Sequence, residues 1–239
     1  MKKIILSICT LFVCSLSANS DLDLFKGLKG KFMQKVVGIF VFDDIEVLDF
    51  CGPFEVLSVT RVDESKRLET LSPFDVKLVS ITKDIVLTTG GMKVVPDFDF
   101  ETCPELDILI VPGGMGTRKL MYDERVLKFV NKKAKEVELL TSVCTGSLIL
   151  ASAKLLDGVN ATTHWKSLKR MEDEFKNVKV CKDKHYVEDG NIISSAGISA
   201  GIDMALYIVK RYFGENVSRA TAKHMEYPYL EKNIRRVDI

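Results

Sequence analysis

A cysteine stands where an apolar run gives way to helix-forming residues in LLTSVCTGSLILASAKLLDG, residues 139–158. Cys144 admits two readings: a nucleophile, or a small side chain buried like any hydrophobe. The first reading needs a strand ending at ELLTSV (138–143), a sharp turn through Cys144, Thr145 and Gly146, and a helix opening at Ser147. Gly146 permits such a turn, which would expose the sulfur and set it at a helix N-terminus that favours a thiolate. The other candidates are weaker singly. LIVPGGMG (109–116) ends a strand in Gly113 and Gly114, whose N–H groups suit an oxyanion but also serve in ordinary turns. Asp49 follows the first apolar run and precedes Gly52 and Pro53, with Pro53 fitting the first turn of a helix. An acid there is either an acid–base group or a surface and capping group. His164, in ATTHW on an expected return strand, is either a neighbour of the site or a satisfied structural histidine. Trp165, the sole tryptophan, is explained by core packing.

The elements that must position these groups are visible as runs of distinct period. VVGIFVF (36–42), FDVKLVSI (74–81), LDILIVP (106–112) and ELLTSV read as short strands buried on both faces. PFEVLSVTR from Pro53, ERVLKFVNKKAKE from Glu124 and SLILASAKLL from Ser147 read as helices between most of them. Strand and helix alternating at this spacing predict an α/β fold with a mostly parallel sheet and helices on both faces. In such sheets, sites form at the carboxyl ends of the strands. Asp189-Gly190, between two strand-like runs, predicts a two-residue hairpin, and a helix opening at Ser199 stops at Gly214. After about residue 215 too few residues remain for a helix-turn-helix module.

A chain of 239 residues, 46% hydrophobic, suits one globular domain, and a net charge of +1 gives no global field towards nucleic acid or acidic lipid. A small-molecule substrate is the default. Residues 1–20 differ in kind: Lys2 and Lys3 precede IILSICTLFVCSLSA, too short to span a membrane comfortably, which reads as a signal peptide cleaved after Ser17 or Ser20. The expected organisation is a signal peptide over 1–20, a leader over 21–35, one domain over 36–230 and a tail over 231–239. Export to the periplasm follows, with no stable membrane span after signal removal; a true start at Met33 would make the protein cytoplasmic. Cys51, Cys103, Cys144 and Cys181 remain in the mature chain, and no CxxC or His-rich cluster suggests a metal site.

DDIEVLDFCGPFEVL, LIVPGGMG, SVCTGSLILASAKLLDGVNATTHW and YVEDGNIISSAGISAGIDMALYIVKRYFG resemble, in order and spacing, the ThiJ/PfpI superfamily, relatives of the class I glutamine amidotransferases. Within it they are most similar to isonitrile hydratase and to the sensor domains of AraC-type regulators. SVCTG followed by ATTHW is specific to that subgroup, whereas PGG and LDFxGP are weak alone. The resemblance covers about residues 36–230 and implies a flavodoxin-like three-layer sandwich, a homodimer and no cofactor. It assigns Cys144 as nucleophile, Thr145 as the residue after it and Asp49 as the acid that meets the sulfur. Gly114 matches the glycine whose N–H joins that of Thr145 in an oxyanion hole, with Gly113 and His164 beside the substrate. The protease-like branch carries a histidine directly after the cysteine; Thr145 here argues against a Cys-His peptidase.

An ionised carboxylate beside a thiol raises the thiol pKa, so the pair makes sense with a shared proton: thiolate on Cys144, acid on Asp49. The implied activity is cysteine-dependent hydration of a small electrophile, isonitrile to N-substituted formamide, with a glyoxalase- or deglycase-like enzyme as the nearest alternative. A non-catalytic module that binds a ligand or senses oxidants is the competing class. For that class Cys51, two residues after Asp49, is the candidate redox partner of Cys144. A third reading is a retained fold with an unreactive cysteine.

Overall fold

The computed structural model describes residues 34–237, so the expected signal peptide and most of the leader lie outside the described residues. The described residues open with β1 (Lys35–Phe40), α1 (Val47–Val59) and β2 (Phe74–Ser80). A small hairpin, β3 (Val86–Leu87) and β4 (Lys93–Val94), leads to β5 (Phe98–Asp99) and β6 (Ile108–Val111). Helices α2 (Thr117–Leu120) and α3 (Glu124–Lys133), strand β7 (Leu139–Val143) and helix α4 (Gly146–Ser152) follow. The last third holds β8 (Asn160–Ala161), α5 (Leu168–Glu174), β9 (Lys179–Val180), β10 (Tyr186–Asp189), β11 (Ile192–Ser195), α6 (Ala200–Phe213) and α7 (Glu215–His224).

Seven strands form one sheet in the order β10-β11-β7-β6-β1-β2-β5, and every pairing is parallel except β10 with β11. The continuous apolar runs make this sheet because both its faces are covered. Residues Ile108 to Val111 and Leu139 to Val143 are all buried. Helix α1 packs on α6, and α6 on α7, while α2 and α3 pack on α4. These two groups of helices sandwich the sheet, the flavodoxin-like three-layer arrangement expected. On α3 the buried Val126, Phe129 and Val130 recur at helical spacing, and Phe129 stacks on Phe100 with centroids 3.8 Å apart.

Several local expectations change. Pro53 lies inside α1, not in its first turn, because the helix already begins at Val47 and turns Phe50, Val56 and Leu57 into the core. Proline has no N–H, so the Asp49 carbonyl one turn back loses its usual intrahelical donor. The hairpin loop is Gly190-Asn191, one residue later than expected: Asp189 still pairs with Ile192, and its carboxylate accepts hydrogen bonds from the backbone N and Nδ2 of Asn160 at 2.8 and 2.7 Å. Gly190 takes the left-handed φ of 63° that this loop requires. The return strand at ATTHW shrinks to β8, paired with β9 outside the main sheet. Trp165 is 43% exposed instead of buried in the core. Residues set apart as a tail are bonded to the body: Asn233 Oδ1 accepts from the backbone of His185 and Tyr186, and the Arg235 guanidinium donates to Thr162 Oγ1 at 2.7 Å.

Candidate active site

Strand β1 has β2 on one side and β6 on the other, so the chain leaves it in both directions and a crevice opens at the carboxyl ends. Asp49 from α1, Gly113 and Gly114 after β6, and Cys144 after β7 all converge there. Cys144 occupies the step from β7 to α4 with φ of 56°, a left-handed conformation that costs a non-glycine residue about 1–3 kcal/mol. Its neighbours hold it in that state. The Cys144 N–H donates to Ala196 O at 2.9 Å, and its carbonyl accepts the hydroxyls of Ser147 and Thr163, each at 2.9 Å. Gly146 must be glycine, because a Cβ there would stand 1.9 Å from Val111 O. The turn does not expose the sulfur as expected; Cys144 is 6% exposed.

Asp49 is fully buried, and its Oδ2 accepts the Gly113 N–H at 2.9 Å while Oδ1 has no hydrogen-bond partner among the described residues. Burial, partly offset by the Gly113 N–H and reinforced by the charge of Glu46, pushes its carboxyl up to about 8. At neutral pH the proton therefore sits on Asp49, as the shared-proton argument requires. The other half of that argument changes. Burial and then the Asp49 charge push the Cys144 thiol up, and these outweigh the Thr145 N–H and hydroxyl, which favour the thiolate. The resting pair favoured here is a neutral acid beside a neutral thiol.

Gly113 must also lack a side chain: a Cβ would lie 2.6 Å from both Thr145 N and Thr145 Oγ1, and 2.8 Å from Asp49 Oδ2. Gly114, with φ of 131°, donates its N–H to Thr145 Oγ1 at 3.0 Å. The two expected oxyanion donors thus have different partners. The Thr145 N–H is within reach of the sulfur, and the Gly114 N–H is engaged by the Thr145 hydroxyl.

Neither of the remaining candidates hydrogen-bonds to Cys144 or Asp49 among the described residues. Cys51 is a half-buried free thiol on α1, turned about 200° around the helix axis from Asp49. His164 is half-buried, its Nδ1 accepts the Lys166 N–H at 3.4 Å, and burial lowers its pKa below the ordinary histidine value. It precedes the exposed Trp165 and follows Thr163, the residue of that segment that reaches Cys144. Thr163, Gly197 and Thr117 join the site without having been singled out as residues, although Thr163 stands in ATTHW and Gly197 in YVEDGNIISSAG. Gly197 is required because a Cβ would lie 2.8 Å from the Cys144 sulfur. A hairpin at Asp189-Gly190 does not by itself place this segment, whereas the parallel pairing of β11 with β7 carries it to the cysteine. Among the described residues no three His, Cys, Asp or Glu side chains gather to hold a metal.

A buried acid–thiol pair on a strand-to-helix turn is the geometry found, and comparison with known proteins gives it a family. The chain is similar to isonitrile hydratase of Pseudomonas putida, 37% identical over 197 residues that cover 82% of this chain and 79% of that protein. It is also similar to the HTH-type transcriptional regulator GbdR of Pseudomonas aeruginosa, 28% identical over 191 residues, 80% of this chain but only 50% of the regulator. Among solved structures, a ThiJ/PfpI family protein from Pseudomonas syringae superposes with a TM-score of 0.72 at 29% identity, covering 84% of this chain and 79% of that one. The DJ-1/PfpI family model matches residues 35–211, and the chain belongs to that family.

Proposed function

We propose that the protein is a cysteine-dependent hydratase that converts a small isonitrile to the N-substituted formamide. The observation that carries this reading is the fully buried Asp49 carboxyl in the same crevice as Cys144, whose burial favours the protonated acid at neutral pH. Its Oδ2 accepts the Gly113 N–H and is thereby marked as the carbonyl oxygen, which leaves the unpartnered Oδ1 to hold the proton. An isonitrile reacts at its terminal carbon, which must receive both a nucleophile and a proton. Asp49 gives its proton to that carbon as the Cys144 sulfur forms the C–S bond, and the thiol proton passes to the carboxyl. The product is a thioimidate, R–N=CH–S–Cys. Water adds to its carbon, the C–S bond breaks, the thiol regains its proton and the formamide leaves. No ionised sulfur is needed at rest, which suits a buried cysteine.

The 37% identity to an isonitrile hydratase supports the choice of substrate. A homodimer, by family resemblance, and export, from residues 1–20, belong to the same proposal. The test is incubation with small alkyl and aryl isonitriles, following formamide by mass spectrometry, with Cys144→Ser as control. Formamide formation that stops in the control supports the reading. Turnover of glyoxals instead, or tight binding of isonitriles without product, overturns it in favour of a deglycase-like enzyme or a binding module.

A further inference from the structure

The loop between β11 and α6 forms one wall of the cysteine turn. Ala196 O accepts the Cys144 N–H at 2.9 Å, and a Cβ on Gly197 would stand 2.6 Å from Cys144 Cβ. Both ends of this loop are tied to one residue, His185, which directly precedes β10. At the near end the Ala196 N–H donates to the His185 carbonyl at 2.8 Å. At the far end the His185 ring meets Asp203, in the first turn of α6, with Nε2 2.9 Å from Oδ2. Both side chains are buried. The Tyr227 hydroxyl donates to the same carboxylate oxygen at 3.1 Å and the Arg236 guanidinium to Oδ1 at 3.2 Å. Asp203 thus serves its other neighbours as an acceptor, and the ring nitrogen facing it is a donor.

We infer that His185 is a positioning residue of the candidate site: it clamps the two ends of the 196–199 loop and so holds Ala196 and Gly197 against Cys144. It makes no hydrogen bond to Cys144 and acts through Ala196. The clamp has a load to bear, because the left-handed φ of Cys144 persists only while its surroundings enforce it. Without the ring N–H, Asp203 keeps Tyr227 and Arg236 but no longer ties α6 to the start of the loop. The loop then opens locally and the cysteine turn loses a fixed wall. For its effect on catalysis the inference rests on the proposed hydratase reading.

The experiment measures hydrogen–deuterium exchange in the full chain, read by mass spectrometry on peptides covering residues 139–150 and 192–200. On the same preparations kcat and KM are measured with a small alkyl isonitrile. Wild type is compared with His185→Leu, which keeps bulk without a donor, and His185→Gln, which returns an N–H at similar reach. His185→Leu speeds exchange in both peptides by about tenfold, the scale of one hydrogen bond to a charged group, and leaves β1 and β2 unchanged. It lowers kcat by about tenfold with KM held, and His185→Gln restores both properties. A folded His185→Leu protein with wild-type exchange overturns the inference, as does equal acceleration across the whole sheet or a glutamine that restores nothing. Faster exchange with wild-type kcat confines His185 to the fold and overturns its positioning role. If the leucine variant does not fold, Asp203→Ala breaks the same bond from the other end. In wild type alone, a 192–200 peptide exchanging as fast as the exposed turn at residues 89–92 also overturns the clamp. Isonitrile left unconverted by wild type defeats the hydratase reading instead, and the exchange comparison still decides the role of His185.

Discussion

Asp49→Asn keeps the acceptor oxygen that Gly113 addresses but removes the proton that the chemistry transfers. Loss of a general acid predicts that formamide production falls by about 100-fold or more, with thermal stability unimpaired. Full activity in this variant would remove Asp49 from the mechanism. Gly113→Ala acts differently, through shape, because its Cβ would enter the 2.6 Å gap to Thr145. That variant is expected to lose most Cys144 alkylation and activity together while remaining folded, which a melting curve beside the alkylation assay will decide. Cys144, Gly113 and Gly114 were legible because they stand in short motifs that signal a turn after a strand, whereas Asp49 and Thr145 were assigned to the site through the family resemblance. Thr117, Thr163 and Gly197 were not singled out. Thr163 lies 19 residues from Cys144 and meets its carbonyl only through the return of the chain past β8. Thr163 and Gly197 lie in visible motif segments, but a motif does not say which of its side chains meets the cysteine.

At the scale of elements, the strands of the parallel sheet were legible because burial on both faces leaves an unbroken apolar run. Their ends were less so. Helix α1 was expected to start at Pro53, and the residues before it, VLDFCG, mix apolar, acidic and glycine positions that carry no single period; packing on α6 makes them helical. The C-terminal segment had no period at all, and its place is set by side-chain hydrogen bonds. Arg235 donates to Thr162 Oγ1 and to the carbonyls of Thr163 and Lys182, so it fastens the segment that carries Thr163 to Cys144. Arg235→Ala is therefore expected to lower stability by about 1–3 kcal/mol, the cost of leaving such acceptors unpaired, and to weaken activity as Thr163 loosens. Urea unfolding of wild type and variant measures the first effect. An unchanged midpoint would mean that water replaces the guanidinium without cost.

The whole molecule should register its buried acid as a dependence of stability on pH. The Asp49 carboxyl holds its proton up to about 8 in the folded protein, against an ordinary value of 3.8. Between those values the folded state binds more protons than the unfolded chain, so stability falls as pH rises, by at most about 1.4 kcal/mol per unit. Below the lower value both states are protonated and the cost vanishes. Above the upper one both are ionised and the slope flattens. The asparagine variant has no such proton and escapes the decline, so its advantage over wild type is smallest near pH 4 and grows steadily towards pH 8. The Cys144 thiol is pushed up as well, but from a value of 9.0, so its titration falls above this window. Denaturant titrations of both proteins across that range isolate the Asp49 contribution by subtraction. Parallel curves would mean that the carboxyl is ionised in the folded state, and the neutral acid on which the proposed chemistry depends would be gone. Diverging curves would show that the fold gives up stability at neutral pH to keep a proton beside its cysteine.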